Sequence, residues 1–193
     1  MNNVQREILV ILSLSEESHL TSGRRLVLKI GENNMIIKKT IKNNIPILMA
    51  MMEKHPDAYS KDYIFSDKRG SIASFFERAL NNDQDDCGSF VIEESGKIIG
   101  HLGYQKDARC FQGGVYELVA LIIDDYFTGK GYAHKLTERV TRELGEIGAR
   151  IVWLQTEGVD KEKIFERFGF KRQSVWPDYW GNGRERIVMI KYL

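Results

Sequence analysis

The sequence predicts one α/β (α+β) domain, and three observations carry that expectation. The first is the stretch from Glu117 to Leu144, ELVALIIDDYFTGKGYAHKLTERVTREL, where a β-branched apolar run, a glycine loop and an amphipathic helix follow without a break. The second is the element order from about residue 24 onward. It reads strand, two helices, two or three strands, helix, strand, helix, two strands, an interleaving that builds a sheet with helices packed on it. The third is size. A chain of 193 residues with 42% hydrophobic content is long enough for one well-cored domain and short for two.

Taken in order, residues 1–22 precede the pattern and read as an N-terminal extension to a domain spanning 23–193. Ile8–Leu12 suits either a strand or a helical turn, Ser13–Ser22 a loop, and His19 a solvated loop position. Arg25–Ile30 alternates as a first strand, and Gly31–Asn34 has turn composition. Met35–Lys54 carries Ile41, Ile45, Leu48, Met49 and Met52 at helical spacing, with Pro46 at a first turn or break and His55-Pro56 as the stop. Ser71–Leu80 is a second helix with Ile72, Phe75, Phe76 and Leu80 on one face. Ser89–Glu93 and Ile98–Tyr104, joined by Glu94–Lys97, read as a hairpin in which Gly100 marks a bulge or a close approach.

Gln105–Gly114 reads as a loop and Tyr116–Ile123 as the central strand, ended by Asp124 and Asp125. Gly131–Gly148 is the main helix, with Leu136, Val140, Leu144 and Ile147 at core spacing. Arg150–Thr156 is a strand, and Lys161–Phe168 a short helix stopped by Gly169. Phe170–Val175 and Arg184–Tyr192 are the last strands, with Trp176–Gly183 as their connection.

The junction of strand, glycine loop and helix N-terminus suits a phosphate. Loop N–H groups and the positive end of the helix dipole converge there, and Gly129 and Gly131 admit conformations a Cβ would oppose. Two common phosphate loops fail on spacing. A Walker loop needs Ser or Thr after its lysine, where this chain has Gly131, and a dinucleotide fingerprint needs a third spaced glycine, where it has Ala133 and His134.

The stretch resembles the Gcn5-related N-acetyltransferase (GNAT) family, whose coenzyme A loop reads Arg/Gln-x-x-Gly-x-Gly/Ala after a strand ending in an apolar-x-apolar pair. Gly131 and Ala133 fill the small positions, Leu121 and Ile123 the strand pair, and Thr128 replaces the usual Arg or Gln. Gly96–Gly100 on the hairpin and Phe165–Phe170 near the end extend the resemblance over roughly residues 24 to 193, the latter matching a Leu-Tyr-x-x-x-Gly-Phe junction. The resemblance implies a central, mixed, twisted sheet of about six to seven strands flanked by about four helices. It also implies an acetyl-CoA-dependent N-acetyltransferase that moves an acetyl group to a primary amine, of a small molecule or of a peptide or protein, by direct transfer in a ternary complex.

It further assigns roles. Cofactor contacts fall on Leu121, Ile122, Ile123, Thr128, Gly129, Lys130, Gly131, Tyr132, Ala133, His134 and Phe165. Glu117, eleven residues before Thr128, is the candidate general base, acting through a water; its alternative use is a paired or solvated strand-end carboxylate. The family's usual acid is the junction tyrosine, replaced here by Phe165, which leaves solvent, Tyr132, Tyr104 or Tyr179 for the thiolate. The junction's usual asparagine is Gly158. Tyr59, Phe75, Trp176, Tyr179 and Trp180 are candidate acceptor walls, able with Asp178 and Glu185 to hold a cationic amine by cation–π and charge contacts; packing of the hairpin or of a homodimer contact is the alternative. A different class of reading, a non-catalytic acyl-CoA-binding regulator, follows from the same two replacements.

Composition excludes much else. A net charge of +1 supplies no argument for nucleic acid or an anionic membrane, and no apolar run has the length of a span. Two cysteines, Cys87 and Cys110, are too few for a disulfide framework, so a reduced, cytoplasmic setting is expected. No His/Cys cluster has metal spacing.

Overall fold

The computed structural model describes residues 35–55, 72–81, 86–110 and 112–193. Among them one seven-stranded mixed sheet carries the fold, in the order β1-β2-β3-β4-β5-β7-β6. The strands are β1 (Met35–Lys39), β2 (Cys87–Glu94), β3 (Lys97–Lys106), β4 (Val115–Ile123), β5 (Ile151–Thr156), β6 (Lys171–Gly181) and β7 (Arg184–Tyr192). Four α-helices accompany it: α1 (Ile45–Glu53), α2 (Ile72–Leu80), α3 (Tyr132–Glu146) and α4 (Val159–Arg167). All neighbouring strands pair antiparallel except β4 and β5, which run parallel. The expected mixed sheet with about four helices is therefore what the chain forms.

The sheet separates two cores. On one face, Leu136, Val140 and Leu144 of α3 pack with Leu118, Val152, Leu154, Phe170, Ile187 and Met189. On the other, Leu48, Met51 and Met52 of α1 and Ile72, Phe75 and Phe76 of α2 pack with Val91, Val119 and Ile122. The α1 methionines thus serve packing, as flexible apolar fillers. The β2–β3 turn is Ser95-Gly96, both with positive φ (50° and 80°), the backbone that matches the twist of a two-residue hairpin. Gly100 does mark a close approach: a Cβ there would lie 2.8 Å from the Ile122 carbonyl oxygen and 2.5 Å from Ile123 Cδ1.

Three expectations are corrected. Met35–Lys39 is an edge strand on β2 and not the start of a helix; α1 begins only at Ile45, with Pro46 in its first turn where a missing N–H costs nothing. β3 runs through Lys106, into the segment read as loop. Trp176–Gly181 belongs to β6, so the connection to β7 is only Asn182-Gly183, again at positive φ (56° and 75°). The extension 1–22, the strand at Arg25–Ile30 and Tyr59 lie outside the described residues.

Candidate functional site

β4 and β5 make the site by parting. They pair only at Val115, Tyr116 and Glu117 against Ile151, Val152 and Trp153. Beyond that vertex a cleft of about 570 Å³ opens between them, walled by Leu118–Ile123 on one side and Leu154–Thr156 on the other. Phe165 of α4 and Trp180 and Arg184 of the β6–β7 hairpin close the β5 side; His55 and Asp125 face each other at 3.6 Å across its far end.

A bulge in β4 sets the parting. Gly103 pairs with Val119 and His101 with Ile122, so Ala120 and Leu121 together oppose Leu102. Ala120 adopts a left-handed φ of 54°, which costs a residue with a Cβ about 1–2 kcal/mol. A buried polar chain meets that cost. His101, fully buried, has Nδ1 2.9 Å from the Ala120 carbonyl oxygen and Nε2 2.7 Å from Ser89 Oγ, which is 2.6 Å from Thr40 Oγ1. Burial lowers the His101 pKa from 6.5 to about 4, so the ring is neutral near pH 7. A carbonyl only accepts. The proton therefore sits on Nδ1, Ser89 donates to Nε2, and Thr40 donates to Ser89. His101 faces the core, edge-on to Phe76.

At the open end of the cleft, β4 leads through a short turn at Asp125–Phe127 into the glycine loop and α3. Asp124 caps the turn, accepting from Tyr126 N–H at 3.1 Å, and pairs with Lys97 at 3.4 Å. Gly129 and Gly131 have φ of 74° and 82°, and a Cβ on either would meet no protein atom within 4 Å. Glycine is thus needed for backbone conformation and for space on the solvent side, not for packing. Gly131 is the N-cap of α3, no side chain caps the helix, and its first turn holds no acid. This open cradle of N–H groups fits a phosphate-bearing group. Lys130 lies over Phe127, the exposed His134 stacks on Phe168, and the buried Tyr132 hydroxyl donates to Glu94, pinning the helix start to the β2–β3 hairpin. Thr128 lines the cleft and donates its hydroxyl to the Asp125 carbonyl.

Glu117 sits at the vertex and is only 2% exposed. Gln105 Nε2 donates to its Oε2 at 3.0 Å, and Arg78 donates to Gln105 Oε1 at 3.3 Å. Trp153 stands beside it in register, its ring under the Arg109 guanidinium at 5.6 Å. Of the expected cofactor residues, the cleft wall brings together Leu121, Ile122, Ile123, Thr128 and Phe165, and the α3 start gathers the others.

In the aromatic hairpin the contacts within the chain follow the packing alternative. The Arg186 guanidinium lies 5.1 Å from the centre of Trp176 and 4.8 Å from that of Tyr179, so the protein's own cation faces those rings. Asp178 accepts the Gly183 N–H at 2.7 Å. Trp180 lines the cleft, Tyr179 does not, and Tyr104 is buried in the α3-side core. Among the cleft residues sequence reasoning did not single out, three are charged and interact: Glu157 accepts from Arg184 at 2.9 Å and from Lys161 at 3.3 Å. Among the described residues no metal-ligating cluster occurs, and no helix is long and apolar enough to cross a membrane.

Comparison with known proteins agrees with this geometry. The model of the acetyltransferase (GNAT) family matches residues 49–170. An N-acetyltransferase from Staphylococcus aureus Mu50 superposes with a TM-score of 0.66 at 19% identity, over 82% of this chain and 98% of that one. A ribosomal-protein-alanine N-acetyltransferase from Brucella melitensis gives 0.65 at 17%, over 82% and 99%. An aminoglycoside 6'-N-acetyltransferase complexed with coenzyme A gives 0.61 at 15%, over 81% and 96%. At these identities the likeness is one of fold. No curated protein matches the sequence.

Proposed function

The chain belongs to the acetyltransferase (GNAT) family, and we propose that it is an acetyl-CoA-dependent N-acetyltransferase acting on a primary amine by direct transfer in a ternary complex. One observation carries the reading: the cleft between β4 and β5 runs from Leu118, next to the buried Glu117, to Thr128, where the open, uncapped glycine loop begins. A long molecule with phosphates at one end and a reactive group at the other suits that layout.

When bound, acetyl-CoA supplies a thioester whose carbonyl carbon the amine nitrogen attacks, with coenzyme A departing as the thiolate. The chain's own residues do the rest. N–H groups of Gly129, Lys130, Gly131, Tyr132, Ala133 and His134 hold phosphate oxygens, helped by the α3 dipole and the Thr128 side. Leu121, Ile122, Ile123 and Phe165 flank the arm and exclude water. A β4 backbone N–H donates to the carbonyl oxygen as charge develops there. Glu117, oriented by Gln105, takes the amine proton through a water. Phe165 has no hydroxyl, so solvent protonates the thiolate, which at an ordinary pKa near ~8.5 is a tolerable leaving group.

Phe165 also favours a second reading, a regulator that binds acyl-CoA without turning it over. Calorimetric titration of acetyl-CoA into wild type and Gly131→Asp tests the cofactor. Binding near ~10 μM, about 7 kcal/mol, that vanishes in the variant supports both readings. Lack of binding by wild type removes both. Release of coenzyme A with a panel of amines, amino acids and peptides, lost in Glu117→Gln with acetyl-CoA binding intact, separates the enzyme from the regulator. Candidate acceptors run from small amines to protein N-termini, in a cytoplasmic setting and with homodimerisation open to measurement.

A further inference from the structure

We infer that Arg78 of α2 is a positioning residue for Glu117: by fixing the Gln105 carboxamide it keeps a hydrogen-bond donor, backed by a positive charge, aimed at this buried carboxylate. The inference rests on the enzyme reading above and deepens it, because that reading needs Glu117 ionised.

The docking of α2 on the sheet places the chain. Arg78 follows Phe75 by three residues and shares its face of the helix. Phe75 presses on Gly103, where a Cβ would stand 2.4 Å from its ring, and Gly103 and Gln105 point to one face of β3. Arg78 therefore meets Gln105, with Nη2 3.3 Å from Oε1. Gln105, fully buried, stands opposite Glu117 in the β3–β4 ladder, with Nε2 3.0 Å from Oε2. Arg78 Nε is itself buried and has no partner among the described residues, so water does not screen that side of the guanidinium.

A guanidinium only donates and an ionised carboxylate only accepts, so the amide between them has one satisfactory orientation: oxygen to Arg78, N–H to Glu117. Turned over, it would set donor against donor and carbonyl against carboxylate. A protonated Glu117 relaxes that demand, because its O–H can donate to a turned amide. Arg78 forbids the turn and so withholds that partner from the protonated form, while burial alone favours it. The other described groups facing Glu117 are Trp153 of β5, which is uncharged, and Arg109 of the β3–β4 loop. Arg109 is within electrostatic reach but bonded to Asp107 at 2.9 and 2.8 Å.

The test compares wild type, Arg78→Met, which keeps an apolar stem without the charge, and Arg78→Lys, which restores charge and a donor. The first readout is the pH profile of kcat/KM for acetyl transfer to an accepted amine. Activity falls in acid as the base protonates, so the acid limb should move upward by about one pH unit in Arg78→Met and lie within about 0.3 unit of wild type in Arg78→Lys. Acetyl-CoA affinity by calorimetry should stay within about twofold in all three, about 0.4 kcal/mol. The second readout needs no turnover: NMR of labelled glutamate carboxyl carbons, with the Glu117 signal identified by its loss in Glu117→Gln, should show the same upward move. If Arg78→Met does not fold, Arg78→Gln takes its place with the same expectation. Equal Glu117 midpoints with and without the charge overturn the role. A shift that Arg78→Lys does not reverse overturns it too, marking Arg78 as a packing residue only. Failure of wild type to release coenzyme A with any amine sinks the enzyme reading instead, a distinct outcome, and the NMR midpoints then decide the Arg78 role alone.

Discussion

Acidification should destabilise this protein through His101 by an amount the structure lets one work out. The ring is fully buried and its pKa falls from 6.5 to about 4. Because the folded value lies below the unfolded one, the unfolded chain binds the proton first as pH drops, and stability declines through the window between them. The slope fades as pH rises past about 6.5 and flattens again below about pH 4. The linkage relation gives a loss on the order of 1 kcal/mol at about pH 5.5 and roughly 2–3 kcal/mol at about pH 4.5. Carboxylates held below their usual range complicate a single curve. Glu143 is so held by Arg139 and Lys39 against its burial, Glu157 by Arg184 and Lys161 against its burial, and Glu162 by Arg172; all three also lose stability in acid. His101→Asn removes the titrating ring and keeps the Ala120 bond, so subtracting its pH curve from that of wild type isolates the ring. Urea unfolding at about pH 7, 5.5 and 4.5 is the assay. Parallel curves for the two proteins would refute the reasoning, because they would mean that His101 titrates alike folded and unfolded.

Gly103→Ala should destabilise by about 1–3 kcal/mol, since its Cβ would stand 2.4 Å from Phe75 Cζ and 3.1 Å from Val119 Cγ2 in a filled core. Thermal unfolding reads this as a lower midpoint, and an unchanged one would mean α2 does not pack as described. Gly131→Ala meets no protein atom, so it should cost only the roughly 1–2 kcal/mol of left-handed strain while weakening acetyl-CoA at least about tenfold; calorimetry beside thermal unfolding compares the two losses. Glu117→Gln should leave acetyl-CoA affinity unchanged and lower turnover about 10²–10⁴-fold. Gln105→Leu, which removes the donor to Glu117 at 3.0 Å, should move the pH profile of turnover without moving cofactor affinity.

What the sequence made legible is local. The glycine loop, the β2–β3 turn, α3 and α4 each announce themselves within a dozen or so residues, because caps, turn residues and apolar periodicity are short-range signals. β1 was hidden because Met35-Ile-Ile-Lys-Lys39 is short and lies on the sheet edge, exposed at Ile36, while its apolar residues continue smoothly into the spacing of α1. The extension of β6 was hidden for the opposite reason. Trp-Pro-Asp-Tyr-Trp-Gly has loop composition, yet an edge strand tolerates Pro177, and the positive φ of Asp178 (51°) falls where the register with β7 is broken between Trp176 and Gly181.

The site divides along the same line, and the division bears on the acceptor. The glycine-loop residues are contiguous and were readable; His101 and Ala120 are 19 positions apart and meet only because a bulge shifts their register, which no local pattern encodes. Arg186 is the second case. A Trp/Tyr cluster in sequence suggests a cage for a cationic amine, but pairing of Trp176 with Arg186 across β6 and β7 brings the chain's own guanidinium over both Trp176 and Tyr179. Those rings are therefore already engaged by the chain's own cation. The remaining carboxylates on the cleft, Asp125 and Glu157, face His55, Lys161 and Arg184. The charge of the cleft is therefore nearly balanced within the chain, so under the proposed function an acceptor would gain little from carrying charge itself, and Trp180, the hairpin ring that lines the cleft, would favour one with an apolar body beside its amine.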